Sequence, residues 1–146
     1  MYGLRLPDKI ELGQIVQMIK GHISDYYWVF ENEVMVKQTD DQDRIDKFFQ
    51  RMRDPQQTRG LISDNADLIK GDWDNFCGAP TIPPKGIAFS KQLVEDWAQI
   101  YFSCIDAAFW EVYAKDKGLL EKIKSGFPGS SMPTYNGLKL AIQKGK

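Results

Sequence analysis

The sequence predicts an α+β domain that is predominantly helical, and three observations predict it. Residues 90–117 carry Gln92, Glu95, Asp96, Gln99, Ser103 and Asp106 in one narrow polar stripe at about 100° per residue, with apolar or small residues elsewhere from Leu93 to Ala108. A helix with so little polar surface belongs in the middle of a domain, wrapped by the other elements. Two capping-box-like starts, at Asp8 and Thr39, each precede an apolar run of helical spacing. Two short β-rich runs, at residues 26–30 and 34–37, predict a small antiparallel hairpin-based sheet.

Taken in order, Asp8 and Glu11 open an N-terminal helix that buries Leu12, Ile15, Val16, Met18 and Ile19 and stops at Gly21, which tolerates a left-handed backbone. Glu31-Asn32-Glu33 joins the two β-rich runs as a tight turn. Two strands alone are marginal, so a helix or a third strand at residues 2–6 is needed to complete the sheet. Thr39 and Gln42 frame a second helix to Arg53, with Ile45, Phe48, Phe49 and Met52 on one face, and Pro55 ends it. Residues 54–87 read as irregular, with a short helix at 64–70 closed by Gly71 and a turn or helix at 72–76. After the long aromatic-rich central helix, a shorter helix takes in Leu119, Leu120 and Ile123. A last one, capped by Ser131 or Thr134, takes in Leu138, Leu140 and Ile142.

The 146 residues suit a single domain, residues 1–146, large enough to bury a core without disulfides or metals. Lys and Arg number 19 against 20 Asp and Glu, so a nucleic-acid partner is disfavoured unless a local patch supplies the charge. The two cysteines, Cys77 and Cys104, form no C-x-x-C pair, and Cys104 falls on the apolar side of the predicted central helix as a small hydrophobe. No run approaches the roughly 18 apolar residues of a membrane span. The opening MYGLRLPDK lacks a signal-peptide core, so a cytoplasmic location is expected.

Candidate chemistry is sparse. His22, the one histidine, stands near a helix end and is a weak candidate for general-base work, alongside Glu111. Asp64, Asp67, Asp72 and Asp74 are weak candidates for metal binding. The EF-hand spacing fails among them, however, and capping with solvent exposure explains Asp64 and Asp67 as well. Arg44, Lys47 and Arg51 form a basic stripe on the second helix, readable as a phosphate contact or as an ordinary solvated face. P-loop and dinucleotide glycine motifs are missing, and no cofactor is implied.

The sharpest anomaly lies late in the central helix. Regular helical geometry turns Trp110 outward, flanked by Phe109 and Tyr113, and turns Glu111 inward. Grouped exposed aromatics are the usual anchors of interfaces. The alternative is that another segment covers Trp110 and that Glu111 reaches water. The sequence therefore leads to a small protein-binding module (adaptor, regulator or immunity-type inhibitor) using Trp110, Tyr113, Phe109 and Trp73 on a protein partner or a second copy. A carboxylate-dependent, possibly metal-assisted hydrolase comes second, and a nucleic-acid accessory protein third.

Overall fold

A computed structural model describes residues 1–132. Its centre is a five-stranded antiparallel sheet in the order β1-β5-β4-β3-β2. The strands are β1 (Tyr2–Arg5), β2 (Tyr27–Phe30), β3 (Asn75–Ala79), β4 (Ile100–Ile105) and β5 (Phe109–Ala114). The helices are α1 (Leu12–Ile23), α2 (Gln42–Met52), α3 (Leu61–Asn65), α4 (Lys91–Asp96) and α5 (Lys117–Gly126). The domain is thus α+β, but it is not predominantly helical.

The long central helix does not exist. Residues 91–96 of it form α4, capped by the Ser90 side chain, which accepts from the Leu93 amide. The rest is the β4–β5 hairpin, paired from Ile100↔Ala114 through Ile105↔Phe109. Both faces of this hairpin are covered, so both carry apolar side chains, and a doubly buried strand has the same near-continuous apolar run as a buried helix. The turn hid the hairpin as well. Asp106 and Ala107 hold φ of 51° and 54°, and the Ala108 amide donates to the Ile105 carbonyl at 2.8 Å, a type I′ geometry. That geometry ordinarily advertises itself by glycine, and here alanine takes its place.

The predicted hairpin of residues 26–37 is also corrected. β2 pairs with β3 rather than with residues 34–37, which touch residues 68–70 through a lone Val36↔Ile69 bridge. The 72–76 segment, read as a turn or helix, supplies the start of β3. Residues 2–6 do provide a strand, joined to β5 with Leu4 opposite Val112. Helix boundaries shift modestly. α1 is boxed by Glu11 and Gln14 rather than by Asp8, and it runs through Gly21 to Ile23. α2 is capped by Asp41. α5 contains Leu119, Leu120 and Ile123 as expected, whereas the helix expected around Leu138–Ile142 lies outside the described residues.

Strand alternation divides the hairpin into two faces. Leu4, Trp28, Phe76, Phe102, Cys104, Trp110 and Val112 pack with the apolar stripes of α1, α2, α3 and α5 in the main core. The opposite face sends Val29, Cys77, Tyr101 and Tyr113 under Leu93, Val94 and Ala98 of the α4 segment. Gly78 is required by its cross-strand partner, because a Cβ there would lie 2.6 Å from the Trp28 ring. The outer edge of β2 is closed by a side chain: the buried Thr58 hydroxyl accepts from the Trp28 amide at 2.7 Å and faces the Trp28 and Pro55 carbonyls. Trp28 therefore has no backbone group left for another strand to pair with.

Candidate functional site

The aromatic edge expected at residues 109–113 is not a surface. Trp110 sits on the helix-covered face of β5, 2% exposed, with its ring edge-on to Phe76 and Phe102 at centroid distances of 6.0 and 6.4 Å. Tyr113 is fully buried and stacked on Tyr101 at 5.6 Å. Phe109 is half-buried beneath the Arg5 guanidinium, 4.9 Å from its centroid. The outward indole followed from a helical period of 3.6. With a period of 2, adjacent residues take opposite faces of a sheet that is covered on both sides.

Glu111 is inward, 4% exposed, and belongs to a polar row that crosses the sheet. In register, Arg5 stands opposite Glu111, Glu111 opposite Ser103, and Ser103 opposite Asn75. Glu31, just past β2, extends the row. Arg5 donates to Glu111 Oε2 from Nε at 2.9 Å and from a terminal nitrogen at 2.7 Å, and the Tyr113 hydroxyl donates to Oε1 at 2.9 Å. Asn75 Oδ1 accepts from the Tyr101 and Ser103 hydroxyls at 2.6 and 2.7 Å, while its amide nitrogen donates to Glu31 Oε1 at 3.0 Å. Burial pushes both tyrosine hydroxyls well above the ordinary phenol range, so they act as donors. Both oxygens of Glu111 are engaged, as a buried carboxylate requires. His22, the other weak catalytic candidate, is exposed on α1, which packs on the opposite side of the sheet.

Two members of the basic stripe, Arg44 and Arg51, are consumed by the fold. Arg44 clamps Asp67 with both terminal nitrogens, at 3.0 and 2.8 Å, and also donates to Asn65 and the Asp64 carbonyl. The pairing holds the Asp67 carboxyl below the usual carboxylate range, chiefly through the Arg44 hydrogen bond. Arg51 donates to the carbonyls of Gln57 and Arg59, tying the end of α2 to the next loop. Lys47 is exposed on the same helix. The four aspartates divide between two places, Asp64 and Asp67 beside α3, Asp72 and Asp74 before β3. Among the described residues, no three His, Cys, Asp or Glu side chains are gathered as a metal ion would need.

One predicted contact residue does face solvent. Trp73 is 46% exposed, and Met35 is 44% exposed on a neighbouring segment. Three stretches meet here at one end of the sheet. The Lys70 amide donates to the Met35 carbonyl at 2.9 Å, the Lys37 amide to Leu68 at 2.8 Å, and the Ala107 amide of the hairpin turn to Asp72 at 3.0 Å. Gly71, at φ +90°, admits the chain beside Cys104 and Trp110, where a Cβ would meet the sulfur at 3.0 Å. At the junction lies Asp74, a buried carboxyl that accepts from the Asp72 amide at 3.0 Å and has the Met35 amide in reach. Burial, partly offset by these amides, raises its pKa from 3.8 to about 6. Sequence reading missed Met35, taken for a strand residue, and the burial of Asp74. The Asp-Trp-Asp triplet was the signal available for this place, and it specified Trp73 alone.

The architecture defines a class: an antiparallel sheet covered by helices on both faces, with Trp73 and Met35 exposed at one end on segments that are hydrogen-bonded to each other. No protein family, curated protein or solved structure matches the chain. No helix among the described residues is long and apolar enough to cross a membrane.

Proposed function

We propose that this chain is a small protein-binding module, an adaptor, regulator or immunity-type inhibitor, that meets a protein partner or a second copy of itself through Trp73 and Met35. The observation that carries this reading is the presentation of two large apolar side chains on segments hydrogen-bonded to one another at the end of a rigid sheet. Large, pre-organised apolar anchors of this kind bring contact area at low ordering cost. Single exposed hydrophobes are ordinary, and it is the pairing on joined segments that distinguishes this place. A cytoplasmic setting accompanies the reading, supported by the two free, buried thiols Cys77 and Cys104. The hydrolase and nucleic-acid readings have less support, because Glu111 is sealed by Arg5 and Tyr113 while Arg44 and Arg51 are internal fasteners.

A photo-reactive residue placed at exposed Lys70, on the Trp73 segment, compared with one at exposed Lys124 on α5, tests the reading. Selective crosslinking from position 70, to another protein or to a second copy, is expected, and Trp73→Ala weakens binding of the purified partner at least tenfold. Equal yields from the two positions, with no self-association in sedimentation that Trp73→Ala abolishes, would overturn it.

A further inference from the structure

Trp110 is 2% exposed, and a buried indole N–H ordinarily finds an acceptor. Among the described residues this one has none. The Trp97 N–H donates to Thr81 at 3.1 Å and the Trp28 N–H is wholly enclosed without a partner, whereas that of Trp110 is neither bonded nor enclosed. The space it reaches is a cavity of about 100 Å³ at the end of the sheet, which Trp110 lines together with Lys9, Glu11 and Lys70. Gly71 locates the relevant edge of the ring, because a Cβ there would lie 3.4 Å from Cε2, the carbon that carries the nitrogen. Lys70 immediately precedes that glycine. Lys9 is fixed on the rim by a left-handed backbone, φ 68°, and by its amide, which donates to the Ala108 carbonyl at 3.3 Å.

We propose that this cavity binds a carboxylate, one oxygen accepting from the Trp110 N–H and the other facing the Lys9 and Lys70 ammonium groups. The charges on the lining favour an anion. Both lysines are exposed and form no salt bridge among the described residues. The Glu11 carboxylate is already held by the Lys37 ammonium at 2.8 Å and by the Gln14 amide of the capping box, so it leaves the two lysines uncompensated. The number of donors selects the kind of anion. One sheltered N–H matches one buried oxygen, whereas a phosphate would bring further oxygens with no donor to meet them, at a desolvation cost. The volume is several times the ~30 Å³ share of a single water, and Ile10 and Phe109 on the lining suit the carbon atoms behind a carboxylate. The site stands independent of the Trp73–Met35 surface. Its probe is a small acid and its readout is one indole signal, so either proposal can fail alone.

NMR of the indole N–H signals of the full chain, titrated with propionate at constant pH and ionic strength, tests the site. Propionate is expected to move the Trp110 signal saturably in the millimolar range and to leave the signal of the enclosed Trp28 in place. Propionamide, its neutral analogue, is expected to move neither, and inorganic phosphate to bind more weakly than propionate. Lys70→Gln and Lys9→Asn should each lower propionate affinity about threefold, the loss of one partly screened charge. Asparagine tolerates the left-handed backbone at position 9, and an unchanged Trp28 signal verifies the fold. An unmoved Trp110 signal, an equal response to propionamide, tighter binding of phosphate, or undiminished affinity in both lysine variants would each overturn the proposal. If a lysine variant does not fold, the comparison of propionate with propionamide on the natural chain decides.

Discussion

Thr58→Val tests whether one hydroxyl holds the outer edge of the sheet. The substitution keeps the volume and the β-branched backbone preference, so almost all of its effect is polar. In the native fold the fully buried Thr58 hydroxyl accepts from the Trp28 amide at 2.7 Å and stands 2.9 and 2.6 Å from the carbonyls of Trp28 and Pro55. Valine leaves the Trp28 amide as a buried donor with no acceptor. An orphaned donor costs about 1–3 kcal/mol, and weakened carbonyl partners bring the expected loss to about 2–4 kcal/mol. For a urea slope of about 2 kcal/mol/M, the unfolding midpoint drops by about 1–2 M with the slope unchanged. Thr58→Ser keeps the hydroxyl and removes one methyl group, so it should cost only about 1 kcal/mol. The Trp28 amide should lose exchange protection in the valine variant and keep most of it in the serine variant. If valine and serine prove equally mild, water or a shifted backbone satisfies that amide, and the closed-edge argument fails.

Two further outcomes follow from local geometry and charge. Ala107→Gly relieves a left-handed alanine that costs about 1–2 kcal/mol, against about 0.5–1 kcal/mol of added unfolded-state freedom. A stabilisation of up to about 1 kcal/mol is therefore expected in thermal unfolding, and a loss would rule out the type I′ turn. Arg44→Lys keeps the charge but not the two-pronged grip on Asp67. Because Asp67 is largely exposed, the cost at neutral pH should stay within about 1 kcal/mol. The folded-state pKa of Asp67 is depressed by Arg44, so this contribution is present above the ordinary carboxylate pKa of 3.8 and is lost as pH falls below it. The natural and Arg44→Lys stability curves should converge in acid, and a constant gap down to pH 2 would show that the contact is not electrostatic.

The core helices were legible because their signals are local. The apolar spacing at Leu12, Ile15, Val16 and Ile19 and the cluster Leu119, Leu120 and Ile123 each specify one buried stripe, and the structure buries those residues. The candidate site was legible only in part. Trp73 stood out as an aromatic between two aspartates. Its companion Met35 comes from a segment 38 positions earlier in the chain, and a pairing at that distance leaves no local pattern. The Trp110 and Glu111 expectation shows how one error of period propagates. Once residues 100–114 are read at 3.6 instead of 2, faces are assigned by the wrong rule, and Trp110 is turned outward although it packs in the main core.

By itself, the sequence determined the mixed α+β composition and the buried stripes of the N-terminal and last described helices, and it left open whether Glu111 is buried. Tertiary structure alone decided that β2 seeks β3, that β4 and β5 fold on each other, and that Arg5, Glu111, Ser103 and Asn75 align into one row. The reason is physical. A helix satisfies its backbone within a few residues and so writes its period locally. A strand buried on both faces satisfies its backbone through distant partners, and its side chains need only be apolar.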